Sequence, residues 1–142
     1  MEIITKSSQQ TQNLGEKIGL DLKPGTIIAL SGDLGSGKTT FLKGLAKGLG
    51  IKKRIVSPTF VFVKQYFVGK INFYHADLYR IENPKDTQGL GLKELFEDPN
   101  GITAVEWAEK FPEVFPEETI KMNFTYLNDK ERKIVINNYN SK

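Results

Sequence analysis

The chain has 142 residues and no cysteine, which predicts a single domain, residues 1–142, without disulfide bonds or a thiolate metal site. Its net charge is +3, with 39% hydrophobic and 26% charged residues, a composition typical of globular proteins rather than of disordered or membrane chains. No apolar run approaches the ~20 residues of a membrane span, and the first ten residues lack the pattern of a signal peptide. These features predict a cytoplasmic protein.

The first half of the sequence predicts a helix, a buried strand, a glycine-rich loop and a second helix. Residues 7–22 carry apolar side chains at helical spacing, and a proline and a glycine end the pattern. Residues 26–31 contain a continuous apolar run, typical of a strand that is buried on both faces. After the loop, residues 39–50 place four apolar side chains on one helical face and reach Gly50 as a stop signal.

The second half of the sequence predicts mostly strands. In order, the patterns indicate a hairpin over 60–79 that turns at 68–69, a short helix around 92–96, a buried strand over 102–107, a loop with two prolines over 111–118, and a second hairpin from 120–127 and 131–139. On the second strand of the first hairpin, alternation places His75, Asp77 and Tyr79 on one face. Strands outnumber helices, so the predicted fold class is α/β with a mixed sheet.

The glycine-rich loop, residues 32–39, fits the pattern G-x-x-x-x-G-K-[ST] and lies between a strand and a helix. Its glycines let consecutive N–H groups point at one oxyanion, and the helix N-terminus adds the positive end of its dipole. We expect Lys38 to reach the β- and γ-phosphates and the Thr39 hydroxyl to ligate Mg²⁺. The other predicted nucleotide contacts in this loop are Gly35, Ser36, Gly37 and Thr40. The motif therefore predicts a nucleoside triphosphate site with Mg²⁺.

Two carboxylates are candidates for the metal and the chemistry. Glu106 ends an apolar strand, as the metal-associated acid of triphosphatases does, and is expected to ligate Mg²⁺ directly or through water; the alternative is a surface glutamate. Asp77 follows 43 residues without an acid and is expected to orient the attacking water, to support the metal, or to pair with Arg80 or a lysine. Trp107, the only tryptophan, is expected in the core, and the lone His75 is assigned no role.

The segment Ser57-Pro58-Thr59 lies between the loop helix and the next strand, where triphosphatases place a switch that senses the γ-phosphate. Ser57 or Thr59 is a candidate sensor, and an ordinary turn is the alternative. The sequence lacks a guanine-reading N-K-x-D motif, since Asn83-Pro84-Lys85-Asp86 has these letters in the wrong order. Only three arginines are present, too few for the lid of a small kinase. ATP hydrolysis is therefore the favoured reaction.

The charges are unevenly distributed along the chain. Residues 34–76 contain eight Lys and Arg and no acid, whereas residues 77–118 contain eleven acids against four Lys and Arg. Solvated faces of opposite sign explain this pattern. A basic stretch over 38–70 that contacts phosphate or tRNA, with an acidic part that meets a metal or a protein, explains it as well.

The segments GDLGSGKTTF, SPTF, FYHADLYR and VEW follow one another in this order, with LGE near the start. The phosphate loop is common to many families, but the combination resembles the TsaE family, the ATPases of bacterial tRNA threonylcarbamoyladenosine (t6A) synthesis. The resemblance covers nearly the whole chain. It implies a P-loop NTPase-like, three-layer domain with a mixed, strand-rich sheet. It also implies ATP hydrolysis in support of the modification of adenosine 37 in tRNAs, together with the subunits TsaB and TsaD.

The same resemblance implies roles for particular residues. Lys38 and Thr39 would contact phosphate and Mg²⁺, Glu106 would be the metal-associated acid, and Asp77 would be the carboxylate critical for hydrolysis. Thr11 matches a threonine placed near the adenine. Two alternatives remain open: a nucleotide-sensing module that regulates a partner without productive turnover, and a phosphotransferase acting on a small metabolite.

Overall fold

The computed structural model describes residues 1–55, 62–86 and 91–139, in which one mixed sheet of seven strands forms the centre of the molecule. The strands are β1 (Glu2–Thr5), β2 (Ile27–Ser31), β3 (Val63–Val68), β4 (Ile71–Asp77), β5 (Gly101–Glu106), β6 (Ile120–Tyr126) and β7 (Arg132–Asn137). The helices are α1 (Ser8–Asp21), α2 (Lys38–Leu49) and α3 (Leu92–Glu97), followed by short 3₁₀ turns at Ala108–Lys110 and Pro112–Val114. No described helix is long and apolar enough to cross a bilayer.

The strand order β1-β7-β6-β2-β5-β4-β3 places the phosphate loop at the middle of the sheet. The four central strands β6, β2, β5 and β4 run parallel, and β3, β7 and β1 pair antiparallel with their neighbours. Carboxyl ends of parallel strands meet at one edge of a sheet, where ligands bind in open α/β folds. The residues that follow β2, β4 and β5 therefore come together.

Helices cover one face of the sheet, and shorter segments cover the other. Phe41 and Leu45 of α2 pack with Ile28, Phe73 and Ile102 of the sheet, and all five side chains are fully buried. A second cluster packs on the opposite face with α3 and the segment around Phe111; its buried members are Ala76, Leu78, Ile81, Leu92, Val105 and Phe111. This arrangement of helices, sheet and covering segments confirms the predicted three-layer α/β fold.

Most predicted elements are present, and several strands end earlier than predicted. The α1 helix begins after Ser7, whose Oγ accepts a hydrogen bond from the Gln10 N–H at 3.0 Å. Strand β4 ends at Asp77 rather than continuing to Tyr79, because the Asp77 carboxylate accepts the Tyr79 N–H and turns the chain. Strand β5 ends at Glu106, since Trp107 adopts a left-handed backbone with φ of 60°.

Strand β1 was not predicted. It has four residues, lies at the edge of the sheet and pairs only with β7 among the described strands. It pairs with Ile3 opposite Ile134, so segments from near the beginning and near the end of the sequence are neighbours in the sheet. A strand this short carries little periodicity, so its partner is decided by the tertiary fold.

The α1 and α2 helices approach each other closely through glycines. A Cβ atom built on Gly44 of α2 would lie 1.9 Å from the Gln12 carbonyl oxygen of α1, and one built on Gly15 would lie 2.2 Å from the Phe41 carbonyl oxygen. Both neighbours are backbone atoms, which have little freedom to move away. Small residues at these positions therefore set the distance between α1 and the helix that begins at the phosphate loop.

We expect the substitution Gly44→Ala to destabilise the protein by at least roughly 1–3 kcal/mol, the usual cost of overpacking. The added methyl group must push α1 away from α2, which disrupts the main hydrophobic cluster. Thermal unfolding followed by circular dichroism measures the effect. Lys43→Ala, an exposed change on the same helix, is the matched control, and equal melting temperatures for the two variants would contradict the prediction.

Candidate nucleotide-binding site

A cavity of about 400 Å³ lies at the carboxyl ends of the central strands. It brings together every predicted loop contact with both predicted carboxylates, and its lining comprises Leu34, Gly35, Ser36, Gly37, Lys38, Thr39, Thr40, Asp77, Tyr79, Glu106, Trp107 and Arg132. A larger groove of about 580 Å³ lies beside α3, but it contains neither the phosphate loop nor these carboxylates. The smaller cavity is therefore the candidate site.

The phosphate loop has the backbone of an anion cradle. Gly35 and Gly37 have φ of 77° and 102°, values that side chains disfavour and that turn successive N–H groups toward one point. The Ser36 hydroxyl is buried and makes no hydrogen bond among the described residues. Asp33 lies in the same loop, but its side chain is exposed, and its carbonyl accepts the Ser36 N–H at 3.1 Å. The loop thus fits a phosphate group.

Lys38 is the first residue of α2 and is 5% exposed. Its Nζ atom donates a hydrogen bond to the Gly32 carbonyl oxygen and lies 3.7 Å from the centre of the Trp107 ring. Burial lowers the pKa of the Lys38 ammonium, and the charges of Glu106 and other nearby carboxylates oppose that shift. The ammonium is thus held beside the cavity by a carbonyl, an aromatic face and negative charge.

The two carboxylates come from neighbouring parallel strands. Asp77 and Glu106 are register partners at the ends of β4 and β5, so their side chains leave the same face of the sheet. Glu106 is 3% exposed, which contradicts the alternative of a surface glutamate. No ion pair of the described residues involves Asp77, so within them Asp77 forms no salt bridge with Arg80 or a lysine.

Burial raises the pKa of the Asp77 carboxyl above its ordinary value of 3.8, and the nearby charge of Glu106 adds to the shift. The hydrogen bond from the Tyr79 N–H, at 2.8 Å, opposes it. The ionised form of Asp77 therefore carries a desolvation cost in the folded protein.

We expect Asp77→Asn to raise the melting temperature near neutral pH, in buffer without nucleotide or Mg²⁺, by on the order of a few degrees. The folded-state pKa is raised, so the native protein holds a proton that the unfolded chain loses between pH 3.8 and that higher value. Stability of the unmodified protein thus falls as pH rises through this window, and Asn removes the loss. Melting curves across pH measure it, with the exposed Asp86→Asn as control. If the Asp77→Asn variant still melted at a higher temperature than the unmodified protein at pH values below 3.8, the raised pKa of Asp77 would be contradicted.

Several residues of the site were not predicted from the sequence, and three of them make contacts that shape it. His75 is fully buried, and its Nε2 lies 2.7 Å from Oε2 of Glu106. Trp107 was expected in the core; it is half-buried, packs against the second cluster, and also lines the cavity over Lys38. Arg132 comes from the second hairpin and donates from Nε to the Gly35 carbonyl oxygen at 3.0 Å. For these three residues, the sequence predicted only that His75 lies on the same strand face as Asp77, from the period-two alternation.

The remaining predicted residues differ in outcome. Thr11 of α1 is buried beside the phosphate loop and lines a small recess with Gly37 and Thr40. Its hydroxyl is hydrogen-bonded with that of Thr5 at 2.6 Å, so the hydroxyl is engaged within the protein. Ser57 and Thr59, the candidate γ-phosphate sensors, lie outside the described residues.

The donor set of the cavity suits a hard cation. Thr39 contributes an exposed hydroxyl at the start of α2, and the strand ends contribute the two carboxylates, which are oxygen ligands of the kind that Mg²⁺ takes. The described residues contain no cluster of three His, Cys, Asp or Glu side chains arranged to hold a metal by themselves.

Comparisons with known proteins agree on one family. The model of the family described as threonylcarbamoyl adenosine biosynthesis protein TsaE matches residues 5–134. The chain is 40% identical over 130 residues to the tRNA threonylcarbamoyladenosine biosynthesis protein TsaE of Bacillus subtilis strain 168, covering 92% of this chain and 80% of that protein. It is 41% identical over 142 residues to the protein of the same name from Nostoc sp. strain PCC 7120, with 98% and 86% covered.

Among solved structures, the crystal structure of Bacillus subtilis YdiB matches with a TM-score of 0.78 and 37% sequence identity. The match covers 94% of this chain and 82% of that chain. This likeness confirms the predicted P-loop NTPase-like fold.

Proposed function

The chain belongs to the TsaE family of threonylcarbamoyl adenosine biosynthesis proteins, and on that premise we propose that it binds and hydrolyses ATP with Mg²⁺ in support of this tRNA modification. One observation carries the proposal. Lys38, at the start of α2, faces the carboxylates of Asp77 and Glu106 from two adjacent strand ends across one cavity. Phosphoryl transfer depends on such positioned positive and negative groups rather than on covalent chemistry.

Each group of the cavity has a distinct task in this reaction. The N–H groups of the phosphate loop and the Lys38 ammonium bind the β- and γ-phosphates and stabilise the charge that develops on them. Thr39 and Glu106 would hold Mg²⁺, which when bound neutralises phosphate charge. Asp77, with its raised pKa, orients the attacking water and accepts hydrogen bonding from it.

The proposal extends to the nucleotide and the partners. ATP is favoured over GTP because the chain lacks a guanine-reading motif. The family resemblance supports TsaB and TsaD as partners, and the acid-free stretch over 38–70 supports a contact with tRNA. We also propose a cytoplasmic location, in line with the absence of cysteine.

Slow turnover by the isolated chain is part of the proposal. The Gly32 N–H at the start of the phosphate loop already donates to the Glu109 carboxylate at 2.8 Å, and the Gly32 carbonyl already accepts from Lys38. These internal bonds engage the Gly32 N–H and the Lys38 ammonium, two donors that the phosphates of a nucleotide would otherwise use. The same observation favours the second candidate, a nucleotide-sensing module whose occupancy regulates a partner without productive turnover.

Phosphate release from ATP, measured with and without TsaB and TsaD, tests the proposed function. We expect slow release by the chain alone, faster release with both partners, and no release without Mg²⁺. Binding of ATP without any release under all three conditions would reject the enzyme and leave the sensing module. Release that requires a small-molecule acceptor would indicate a phosphotransferase instead.

A further inference from the structure

His75 is a buried, ionisable side chain to which the proposed chemistry assigns no task. It is 0% exposed, in the middle of β4, and its Nε2 lies 2.7 Å from Oε2 of Glu106, which is itself 3% exposed. Residues of β4 and β5 that differ by two in register make this contact, since Asp77 is the direct partner of Glu106. A polar pair this deeply buried is costly unless its hydrogen bonds are well made.

The geometry assigns the donor of this hydrogen bond. A carboxylate only accepts hydrogen bonds, so the N–H at Nε2 of His75 donates to Oε2 of Glu106. Nδ1 has no hydrogen-bond partner among the described residues. Within the described part of the structure, the ring therefore makes its hydrogen bond to the glutamate that lines the cavity.

We propose that His75 is a positioning residue for Mg²⁺: its Nε2–H fixes Oε2 of Glu106 and thereby presents the other carboxylate oxygen to the cavity. This inference rests on the proposed Mg²⁺–nucleotide site. A glutamate side chain has three rotatable bonds, and freezing them beforehand removes an entropy loss from metal binding. Partners that orient a metal ligand in this way typically contribute 10–100-fold, as an order of magnitude, to metal affinity.

Two substitutions of His75 both remove the imidazole ring, but only one of them keeps a hydrogen-bond donor near Glu106. Their difference therefore measures the hydrogen bond rather than the loss of the ring. The amide nitrogen of Gln is three bonds from Cβ, as Nε2 of histidine is, so His75→Gln keeps a donor near Glu106. The amide nitrogen of Asn is two bonds from Cβ, as Nδ1 is, so His75→Asn does not reach. Thr103→Val, on β5 and buried at 1% exposed but on the other face from Glu106, is the control for a disturbed strand.

The measurement is the affinity for ADP, by calorimetry, in excess Mg²⁺ and in EDTA. For His75→Asn we expect the gain in affinity on adding Mg²⁺ to fall by about 10–100-fold, with the affinity in EDTA unchanged. His75→Gln should keep most of the gain, and Thr103→Val all of it. Thermal unfolding of each variant without nucleotide shows that the comparison is made between folded proteins.

Four outcomes overturn the inference. An unchanged Mg²⁺ gain in His75→Asn would show that Glu106 needs no orientation. An equal loss of affinity with Mg²⁺ and in EDTA, or equal effects of the Asn and Gln variants, would indicate a purely structural histidine. If the unmodified protein itself gains no ADP affinity from Mg²⁺, the proposed function fails and this inference with it. The outcomes seen only in the variants overturn this inference and leave the proposed function standing.

Discussion

Replacing Lys38 with alanine is expected to lower ATP turnover by about 10²–10³-fold, the usual cost of losing one charge-stabilising group at a reacting centre. The side chain lines the cavity, and its Nζ lies between the Gly32 carbonyl and the Trp107 ring. The fold should survive, because burial lowers the pKa of this ammonium and its charge is therefore costly to hold. Phosphate release with TsaB and TsaD present, and circular dichroism, measure the two effects.

Lys43→Ala is the matched control for this change. Lys43 lies on the same helix, is exposed, and does not line the cavity, so its removal changes the net charge equally and should leave turnover intact. Normal t6A content in the tRNA of a strain that carries only the Lys38→Ala variant would contradict the role of ATP binding in the pathway. Equal losses in both variants would indicate a general electrostatic effect instead.

Asp77→Asn is expected to lower phosphate release by about 10²–10⁴-fold, the range for a positioned acid or base, while ATP binding is retained. The asparagine can still accept the Tyr79 N–H, so the turn after β4 is kept. It cannot accept a proton from an attacking water. Calorimetric binding of ATP and release of phosphate, each measured with the partners present, separate the two effects.

The same variant distinguishes the enzyme from the sensing module. A module that needs only occupancy would support TsaB and TsaD equally well with the aspartate or the asparagine in place, so unimpaired t6A formation by the variant would favour sensing. Loss of t6A formation with intact ATP binding would favour hydrolysis. Asp86→Asn makes the same chemical change at an exposed position outside the cavity and should behave as the unmodified protein.

The phosphate loop and its two flanking elements were predictable because their signals are local. A buried strand, glycines at fixed spacing and an amphipathic helix all lie within residues 26–50, and each can be recognised without the rest of the chain. Glu106 was found as the acid that ends an apolar strand, and Asp77 as the first acid after a long acid-free stretch. The α/β class followed from counting such segments.

The sequence by itself predicted the kind of ligand, a phosphate held by a loop, and identified the family through the order of four short motifs. Only the tertiary structure decided that His75 bonds to Glu106, that Trp107 lies over Lys38, and that the second hairpin brings a side chain to the loop. These contacts join positions 31, 69 and 97 residues apart in the chain. Strand pairing and the left-handed backbone of Trp107 create these contacts, and neither can be predicted from a local sequence pattern.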